Sequence, residues 1–403
     1  MNVEQGPWVG DKWWVSHFNY VEEVRKNFNL PSRVEIYDVT LRDGEQTPGV
    51  VFKKEEKLHI AQLLDEAGVH RIEAGMPVVS AEDADAVKSI AHAGLKAKIF
   101  GFCRMVKGDI DAAINCDVQG VIIEGPVGVP KLKQFGWPYE EVVKKAIEAV
   151  DYAKSHGLQT AFFSVDMTRA ELSFIKRLLS EIGTQTKVDS FIVVDTFGCA
   201  LPEAIAYLVR ELKKTVKQPL EIHCHNDFGL GTACTLAGIA AGAEVAHTSV
   251  NGIGERTGNV SFEEVVMGLK YLYGVDVGIK TEMLYKISKV VEEYSQFKVP
   301  VNKPFVGDRS FTREAGISIA GWVKYYLGSE PILPELVGNK HGVVMGKKSG
   351  RHSVEWKLQQ LGMHAPPEKI PLILEELKNE SVRRKAAIED EDFKKIVAKV
   401  LSS

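Results

Sequence analysis

The sequence predicts an α/β protein built on a (β/α)8 TIM barrel. This prediction rests on the alternation of strand-like and helix-like segments and on the length of the chain. Short apolar, often β-branched runs alternate with charged amphipathic stretches between residues 33 and 275. Eight such runs with about eight helices between them is the count of a closed barrel. The 403 residues suit one large domain of roughly 250 residues with an appendage. An open parallel sheet stays possible here, because strand order cannot be read from one sequence.

The eight apolar runs predict the barrel strands. They are residues 34–40, 71–75, 98–103, 120–125, 159–165, 190–196, 221–226 and 245–250. Between them we predict helices, among them residues 53–67, 140–155, 169–182 and 202–215. In the first helix Leu58, Ala61 and Leu64 recur at the spacing of a helix laid on a sheet.

Two regions lie outside this alternation of strands and helices. Residues 1–32 form a predicted N-terminal extension that is rich in aromatic side chains, and we expect it to cap the barrel or to contact another subunit. Residues 276–403 form a mostly helical C-terminal region, with helices predicted over 280–296, 368–378 and 389–401. The predicted catalytic barrel is therefore residues 33–275.

Composition excludes several classes of protein. Fifty Lys and Arg against 54 Asp and Glu give a formal charge of −4, so no net positive field collects nucleic-acid phosphates. No apolar run approaches the ~20 residues that span a bilayer, and the first 20 residues lack a signal-peptide core. The five cysteines are scattered, with no CxxC pair, which indicates a reducing compartment. We expect a cytoplasmic protein that binds neither nucleic acid nor membrane.

Polar residues gather where the predicted strands end. In a (β/α)8 barrel those carboxyl ends converge on one face and carry the chemistry. The residues concerned are Asp38, Arg42, Asp43, Glu73, Arg104, Ser164, Asp166, Thr196, His223, His225, Asn251 and Asn259. A purely structural barrel has no reason to collect polar groups there, so this face is the predicted site.

The sharpest feature is His223-Cys224-His225 on a predicted strand. Alternate strand residues face the same side, so both imidazoles can bind one cation. Asp43 follows the first strand. In a closed barrel the eighth strand lies between the first and the seventh, so Asp43 can lie near the two histidines, and Asn259 could add an amide oxygen. These groups suit an open Lewis-acid site for Mg²⁺, Mn²⁺ or Zn²⁺. The alternatives are two histidines that line a cavity and an Asp43 that caps a turn.

Other polar residues have two interpretations each. Arg42 could stabilise an oxyanion beside the metal, or form a structural salt bridge. Asp166 and Glu73 are candidates for a general base, or for orienting Arg42 and Arg104. The hydroxyls of Ser164 and Thr196 could hold a substrate carboxylate, or cap helices.

Three segments resemble the signatures of a known family. They are DVTLRDGEQ at 38–46, HCHNDFGL at 223–230 and NGIGERTGN at 251–259. Together they are similar to those of the metal-dependent TIM-barrel family of isopropylmalate, homocitrate and citramalate synthases and hydroxymethylglutaryl-CoA lyases. The resemblance implies that Asp43, His223, His225 and Asn259 hold a divalent metal and that Arg42 faces an oxyanion. It places Gln46, Glu73, Arg104, Ser164 and Thr196 around the substrate, and it implies a homodimer formed through the C-terminal region.

Within that family the chain looks like the condensing enzymes, because no cysteine of the lyase kind lies in 251–259. The resemblance then implies an acyltransferase that joins an acyl-CoA, acetyl-CoA first of all, to a 2-oxo acid. The products are a 2-hydroxy-2-alkyl dicarboxylate and CoA. The alternative is a C–C cleaving lyase or aldolase of the hydroxymethylglutaryl-CoA lyase type. A third hypothesis is a barrel that binds a metabolite or a partner without catalysis.

Four segments depart from the pattern of the synthases. Strand five carries Ser164-Val-Asp166, with a shorter carboxylate than usual. Residues 312–318 read TREAGIS and lack two histidines that supply acid–base groups. Phe162 stands where homocitrate synthases tend to have an arginine, and EGPVGVP at 124–130 replaces the usual Ser-Asp-x-His pattern. These departures predict an unusual acceptor.

Overall fold

The computed structural model describes residues 3–402, which divide into two compact units. The larger unit is Phe18–Lys298. The smaller unit joins the described residues that precede this stretch to those that follow it.

The larger unit is built on a closed barrel of eight parallel strands. In chain order they are β1 (Glu35–Asp38), β2 (Arg71–Gly75), β3 (Lys98–Arg104), β4 (Gly120–Pro126), β5 (Gln159–Val165), β6 (Ser190–Asp195), β7 (Leu220–Cys224) and β8 (Val245–Thr248). Each strand pairs with its neighbours in sequence, and β8 pairs with β1 from Val245 opposite Glu35 to Thr248 opposite Asp38. The predicted (β/α)8 barrel is confirmed, and this closing ladder excludes the open sheet.

Helices connect the strands. The α-helices of this part of the chain are Glu22–Arg25, Lys54–Ala67, Ala81–Ala91, Lys107–Ile114, Val129–Phe135, Tyr139–Ser155, Leu172–Gln185, Pro202–Lys213, Gly231–Ala240, Phe262–Met267 and Leu284–Ser295, of which the first precedes the barrel. Lys54–Ala67 buries Ile60 and Leu64 against the barrel and ends at Gly68, whose φ of 96° suits a glycine. The helix predicted from residue 169 begins at Leu172, because Met167–Arg169 first forms a 3₁₀ turn.

Four strands end earlier than the sequence suggests, β7 and β8 by two residues each. β7 stops at Cys224, and His225 lies beyond it in an isolated bridge with Asn259. β8 stops at Thr248. In both cases the chain leaves the sheet at the point where polar side chains begin, so those side chains stand at the barrel mouth.

The barrel interior has an apolar part and a polar part. An inner cluster packs aromatic and aliphatic side chains from several strands, including Tyr37, Phe100, Phe102, Ile122 and Phe163. A second group surrounds the fully buried carboxylate of Glu221. This carboxylate accepts hydrogen bonds from Arg71 (2.9 Å) and Ser190 (2.6 Å) and lies 2.7 Å from His247 Nε2.

The smaller unit has its own core. Its helices Gly316–Trp322, Arg351–Gln360, Ile370–Arg384 and Asp390–Ser402 pack around buried Trp322 and Phe393. Two pairs of two-residue strands complete it, Val9–Gly10 with Trp13–Trp14 and Thr312–Arg313 with Gly342–Val343. None of the helices within residues 3–402 is both long and apolar enough to cross a membrane.

We predict that Glu221→Gln destabilises the fold by about 3 kcal/mol at pH 7, because it removes a fully buried anion from beside His247 and leaves the guanidinium of Arg71 with Glu35 alone. Burial raises the pKa of Glu221, but the His247 hydrogen bond and Arg71 outweigh it and lower the pKa to about 2. An unfolded glutamate titrates near ~4.3, so the carboxylate stabilises the native state above that pH. This stabilisation is lost as the pH falls from there towards 2.

Urea unfolding of the wild type and of Glu221→Gln at pH 7 and at pH 3 measures both effects. The difference between the two proteins should shrink at the lower pH. Glu148→Gln is the control, because Glu148 lies 4.0 Å from Lys144 with 64% of its side chain exposed, and its loss should change stability by less than ~0.5 kcal/mol. Equal stability of wild type and Glu221→Gln at pH 7 would contradict the prediction.

Candidate metal centre

Asp43, His223 and His225 meet at the mouth of the barrel, and all three are buried. One ligand atom of each lies within 4.8 Å of the other two. Asp43 Oδ2 is 3.2 Å from His223 Nε2 and 3.6 Å from His225 Nε2, and the two Nε2 atoms are 3.4 Å apart. Asp43 precedes the turn Gly44–Gln46 but makes no side-chain capping bond to it, so its carboxylate is free to face the imidazoles.

The local fold fixes how His225 presents its nitrogen. Nδ1 lies 3.2 Å from the carbonyl oxygen of Gly258, so Nδ1 carries the proton and donates it. Nε2 therefore has its lone pair directed towards Asp43, which is the arrangement of a metal-binding histidine. Gly258 is required here, because its φ is 86° and a Cβ would lie 2.0 Å from the carbonyl oxygen of Gly252.

Burial sets the charges of the cluster. Desolvation lowers the pKa of both His223 and His225 to about 4, although Asp43 acts in the opposite direction. Burial also raises the pKa of Asp43, but Arg42 and the two histidines outweigh it and hold that pKa well below its ordinary value. At neutral pH the cluster is thus one carboxylate and two neutral imidazoles.

This donor set fits a divalent cation. Asp43 Oδ2 and His225 Nε2 are hydrogen-bond acceptors, so at most one proton, on His223 Nε2, lies among the three atoms. Asp43 Oδ1 is buried and has no partner in the described chain. Two imidazoles and a carboxylate are ligands that Zn²⁺ and Mn²⁺ accept, and they leave coordination positions open.

Asn259 adds an amide on the same side of His225. The backbones of the two residues form a bridge, and Asn259 is buried. Its Nδ2 donates to the carbonyl oxygen of Ile253 at 3.3 Å. The amide oxygen is therefore the free end of the side chain.

Arg42 links the cluster to strand β2. Its Nε donates to Glu73 Oε2 at 2.6 Å, and its Nη1 lies 3.3 Å from Asp43 Oδ2. Nη1 also reaches Gln46 Oε1 at 3.4 Å. Nη2 is buried and no group within residues 3–402 bonds to it. A desolvated guanidinium with an unsatisfied Nη2 beside three candidate ligand atoms is suited to bind an anionic oxygen.

An aromatic wall supports the guanidinium. The carbon Cζ of Arg42 lies 4.0 Å from the centre of the Phe102 ring and 6.0 Å from that of Phe163, which is cation–π geometry. Phe163 also packs edge-on against His223, with ring centres 4.9 Å apart. The cluster is therefore enclosed by apolar surface on this side.

The structure does not bring every sequence-predicted residue to this cluster. Ser164 follows Phe163 on β5, so it faces the opposite side of the strand, away from the interior. Asp166 is held by two bonds from Arg169, at 2.7 and 2.9 Å. Thr196 Oγ1 accepts from the backbone N–H of Asp166 at 2.8 Å.

Arg104 lies at the rim of the barrel. Its guanidinium donates to both carboxylate oxygens of Asp109, at 2.8 and 2.9 Å, and 55% of its side chain is exposed. Glu73 and Gln46 do join the cluster, through their bonds to Arg42. The predicted site residues thus fall into an inner group around Arg42 and an outer group at the rim.

Sequence reasoning missed three residues of the inner group. Phe102 and Phe163 flank Arg42, and the hydroxyl of Tyr37 lies 3.4 Å from Glu73 Oε1. Tyr37 also stacks on His247, with ring centres 4.3 Å apart. Counting back by two from Arg104 along β3 could have identified Phe102, but no such count from a predicted residue gives Tyr37 or Phe163.

Two family models match the chain. The first, HMGL-like, matches residues 33–291. The second, described as homocitrate synthase post-HMGL domain-like, matches residues 305–385. The first match alone covers more than half of the sequence and includes every residue of the cluster.

Curated relatives agree with these models over most of the chain. The homocitrate synthase AksA of Methanothermobacter thermautotrophicus is 43% identical over 390 residues, which are 96% of this chain and 98% of that protein. The 2-isopropylmalate synthase of Methanocaldococcus jannaschii is 45% identical over 347 residues, 85% of this chain and 66% of that one. The (R)-citramalate synthase CimA of the same organism is 43% identical over 346 residues, 86% of this chain and 70% of that one.

Solved structures share the fold of the barrel. The HMG-CoA lyase of Bacillus subtilis superposes with a TM-score of 0.61 at 18% identity, over 67% of this chain and 96% of that one. An HMG-CoA lyase solved with coenzyme A and 3-methylmalate gives 0.59 at 18% identity, over 66% and 93%. At these identities the likeness concerns the fold. On the sequence matches, the chain belongs to the HMGL-like family and is an acyltransferase of the homocitrate, 2-isopropylmalate and citramalate synthase type.

Proposed function

We propose that this enzyme carries out a divalent-metal-dependent Claisen condensation of an acyl-CoA, acetyl-CoA in the first instance, with a 2-oxo acid. Addition to the ketone gives a 2-hydroxy thioester, and water then hydrolyses this thioester to a 2-hydroxy-2-alkyl dicarboxylate and free CoA. The observation that carries the proposal is the cluster of Asp43, His223 and His225 beside the unpaired Nη2 of Arg42. The names of the relatives support the same reaction class, since all three denote synthases.

Asp43, His223, His225 and Asn259 are the residues proposed to hold the metal. When bound, a Mg²⁺, Mn²⁺ or Zn²⁺ ion supplies Lewis acidity to a carbonyl group of the acceptor. The coordination positions that these protein ligands would leave unfilled could take two oxygens of a 2-oxo acid. We assign this chemistry to residues 33–275, between the N-terminal extension of residues 1–32 and the C-terminal region of residues 276–403.

Arg42 is proposed to bind the oxyanion that forms on the acceptor carbonyl as the new C–C bond is made. Its guanidinium is held in place before the substrate arrives, by the ion pair to Glu73 and by the Phe102 ring. Such preorganisation is the main source of oxyanion stabilisation in enzymes, because no reorientation is needed during the reaction. Glu73 is thus proposed to act on catalysis through Arg42.

A base must take a proton from the acyl methyl group. Asp166 is the proposed base, and for this role its ion pair to Arg169 has to open. Gln46, Arg104, Ser164 and Thr196 are proposed to surround the substrates, with Gln46 closest to the metal ligands through Arg42. The missing histidines at positions 313 and 318 favour one alternative, cleavage of a 3-hydroxyacyl-CoA at the same site.

The reaction is tested by release of CoA thiol from acetyl-CoA with a panel of 2-oxo acids and Mg²⁺, Mn²⁺ or Zn²⁺. We expect thiol release that depends on both the 2-oxo acid and the metal. Arg42→Lys should lower kcat by about 100-fold or more, because a lysine cannot keep the bidentate and stacked geometry. Glu148→Gln should behave as wild type.

Two outcomes would contradict the proposal. Inactivity with every 2-oxo acid, together with turnover of a 3-hydroxyacyl-CoA, would assign the enzyme to the cleaving lyases. Inactivity on all substrates despite tight metal binding would favour a barrel that binds a metabolite without catalysis.

Metal binding is a separate prediction. Asp43→Asn should weaken binding of Mn²⁺ or Zn²⁺ by at least roughly 100-fold, since it removes the only anionic ligand of the cluster and an outer-shell change alone costs 10–100-fold. Isothermal titration calorimetry of the metal-free protein measures this. Asp85→Asn is the control, because Asp85 pairs with Lys54 and 61% of its side chain is exposed. Equal affinity of the wild type and Asp43→Asn would remove the proposed centre.

We further propose that the enzyme is a cytoplasmic homodimer formed through its C-terminal region. The cytoplasmic location rests on the scattered cysteines of the sequence. An apolar surface supports the dimer, since Ile317 is 93% exposed and Val323 and Tyr325 are about half exposed on and beside the helix Gly316–Trp322. We expect Ile317→Asp to shift the wild-type dimer towards monomer in light scattering after gel filtration. A monomeric wild type would refute this proposal.

A further inference from the structure

Glu124 lies at the carboxyl end of β4, on the wall of the barrel that faces the metal centre. Around the closed barrel β4 is four strands from β8 in either direction. β8 in turn lies between β7, which leads to His223 and His225, and β1, which leads to Asp43. A substrate held at the metal centre and extended across the mouth therefore points towards β4.

The Glu124 side chain faces the interior of the barrel. Ile122, two residues earlier on the same strand, belongs to the inner apolar cluster, and alternate strand residues share a face. Glu124 is also in register with Phe163 on β5, whose ring packs against His223. In-register residues of adjacent parallel strands lie on the same face of the sheet, so both observations give the same direction.

This carboxylate has no partner within the described chain. Glu124 is half-buried, and neither a hydrogen bond nor an ion pair reaches it from residues 3–402. Burial raises its pKa, while the charges of Arg42, Arg104 and Lys131 act through space in the opposite direction. The neighbouring carboxylates are engaged by arginines: Glu73 by Arg42, Asp109 by Arg104 and Asp166 by Arg169.

The surface between Glu124 and the metal centre is apolar. Phe102 and Phe163 form it, with Met76 and Val165 packed against the same cluster. Arg104 and Arg169 at the mouth are already paired with carboxylates, and Lys131 lies over the ring of Phe197 at 5.7 Å. A second carboxylate on the acceptor would cross this apolar wall and meet the negative charge of Glu124.

We propose that Glu124 is the specificity residue for the acceptor, and that it accepts a hydrogen bond from a hydroxyl or ammonium group at the end of the acceptor remote from the 2-oxo acid. The enzyme therefore selects a 2-oxo acid with a distal hydrogen-bond donor over a 2-oxo diacid. This inference rests on the proposed condensation and adds the substrate class to it.

The physical basis is the cost of an unpaired, partly desolvated carboxylate. A donor on the acceptor satisfies Glu124 when the substrate enters, whereas an alkyl chain leaves it unsatisfied and a carboxylate repels it. Hydrogen bonds to charged groups account for roughly 10–100-fold in affinity. The order of preference is therefore donor-bearing acid, alkyl acid, diacid.

Three acids of equal chain length test this with the full-length, metal-loaded enzyme. They are 5-hydroxy-2-oxopentanoate, 2-oxopentanoate and 2-oxoglutarate, each with acetyl-CoA. For the wild type we expect kcat/KM to be about 10-fold or more higher for the hydroxy acid than for 2-oxopentanoate, and lowest for 2-oxoglutarate. Glu124→Gln should reduce the first ratio and raise kcat/KM for 2-oxoglutarate by about 10-fold. Glu148→Gln, whose side chain is exposed, should leave kcat with 2-oxopentanoate within about threefold of wild type.

The outcomes separate this inference from the proposed function. A wild type that prefers 2-oxoglutarate overturns the role of Glu124 while the condensation stands. Loss of kcat by Glu124→Gln with all three acids, at unchanged metal content, overturns it in favour of a role in proton transfer. If none of the three acids leads to release of CoA, the proposed condensation is refuted. The binding preference is then measured by the shift in melting temperature that each acid causes in the metal-loaded protein. A larger shift with the hydroxy acid that Glu124→Gln abolishes supports the inference, and equal shifts refute it.

Discussion

The site depends on the charge balance around the carboxylate of Asp43. This group stays ionised although it is buried, because the Arg42 guanidinium lies against it and His223 lies within hydrogen-bonding distance. The same burial keeps the imidazoles neutral and therefore able to act as ligands. A nearby positive charge would stabilise the buried carboxylate, and the neutral imidazoles can donate lone pairs to a Lewis acid. One divalent cation would supply both interactions.

Polar contacts extend from this point into the barrel. Arg42 is tied to Glu73, Glu73 is close to the hydroxyl of Tyr37, and Tyr37 stacks on His247, which pairs with Glu221. Each of these groups is buried, so each depends on its partner to offset lost hydration. The catalytic end of the barrel is consequently supported by the polar layer beneath it as well as by apolar packing.

The sequence predicted much of this arrangement and missed a defined part. The alternation of strand-like and helix-like segments predicted the barrel, and the two-residue spacing of His223 and His225 predicted two imidazoles on one side. Both patterns can be read from residues that are close in the sequence. The direction of β5 could not be predicted in this way. A shift of one residue exchanges the two faces of a strand, so only three-dimensional register shows that Phe163, and not Ser164, faces the interior. The pairing of Arg104 with Asp109 likewise depends on contacts that no pattern encodes.

The glycine loop after β8 has a consequence for how this family tolerates sequence change. The carbonyl of Gly258 orients an imidazole that belongs to a different strand, and the backbone at Gly258 adopts a conformation closed to residues with a β-carbon. A residue outside the cluster of Asp43, His223 and His225 thereby decides which nitrogen of His225 is basic. A substitution of Gly258 would displace the carbonyl that orients this imidazole, even though the new side chain would replace none of the three candidate ligands.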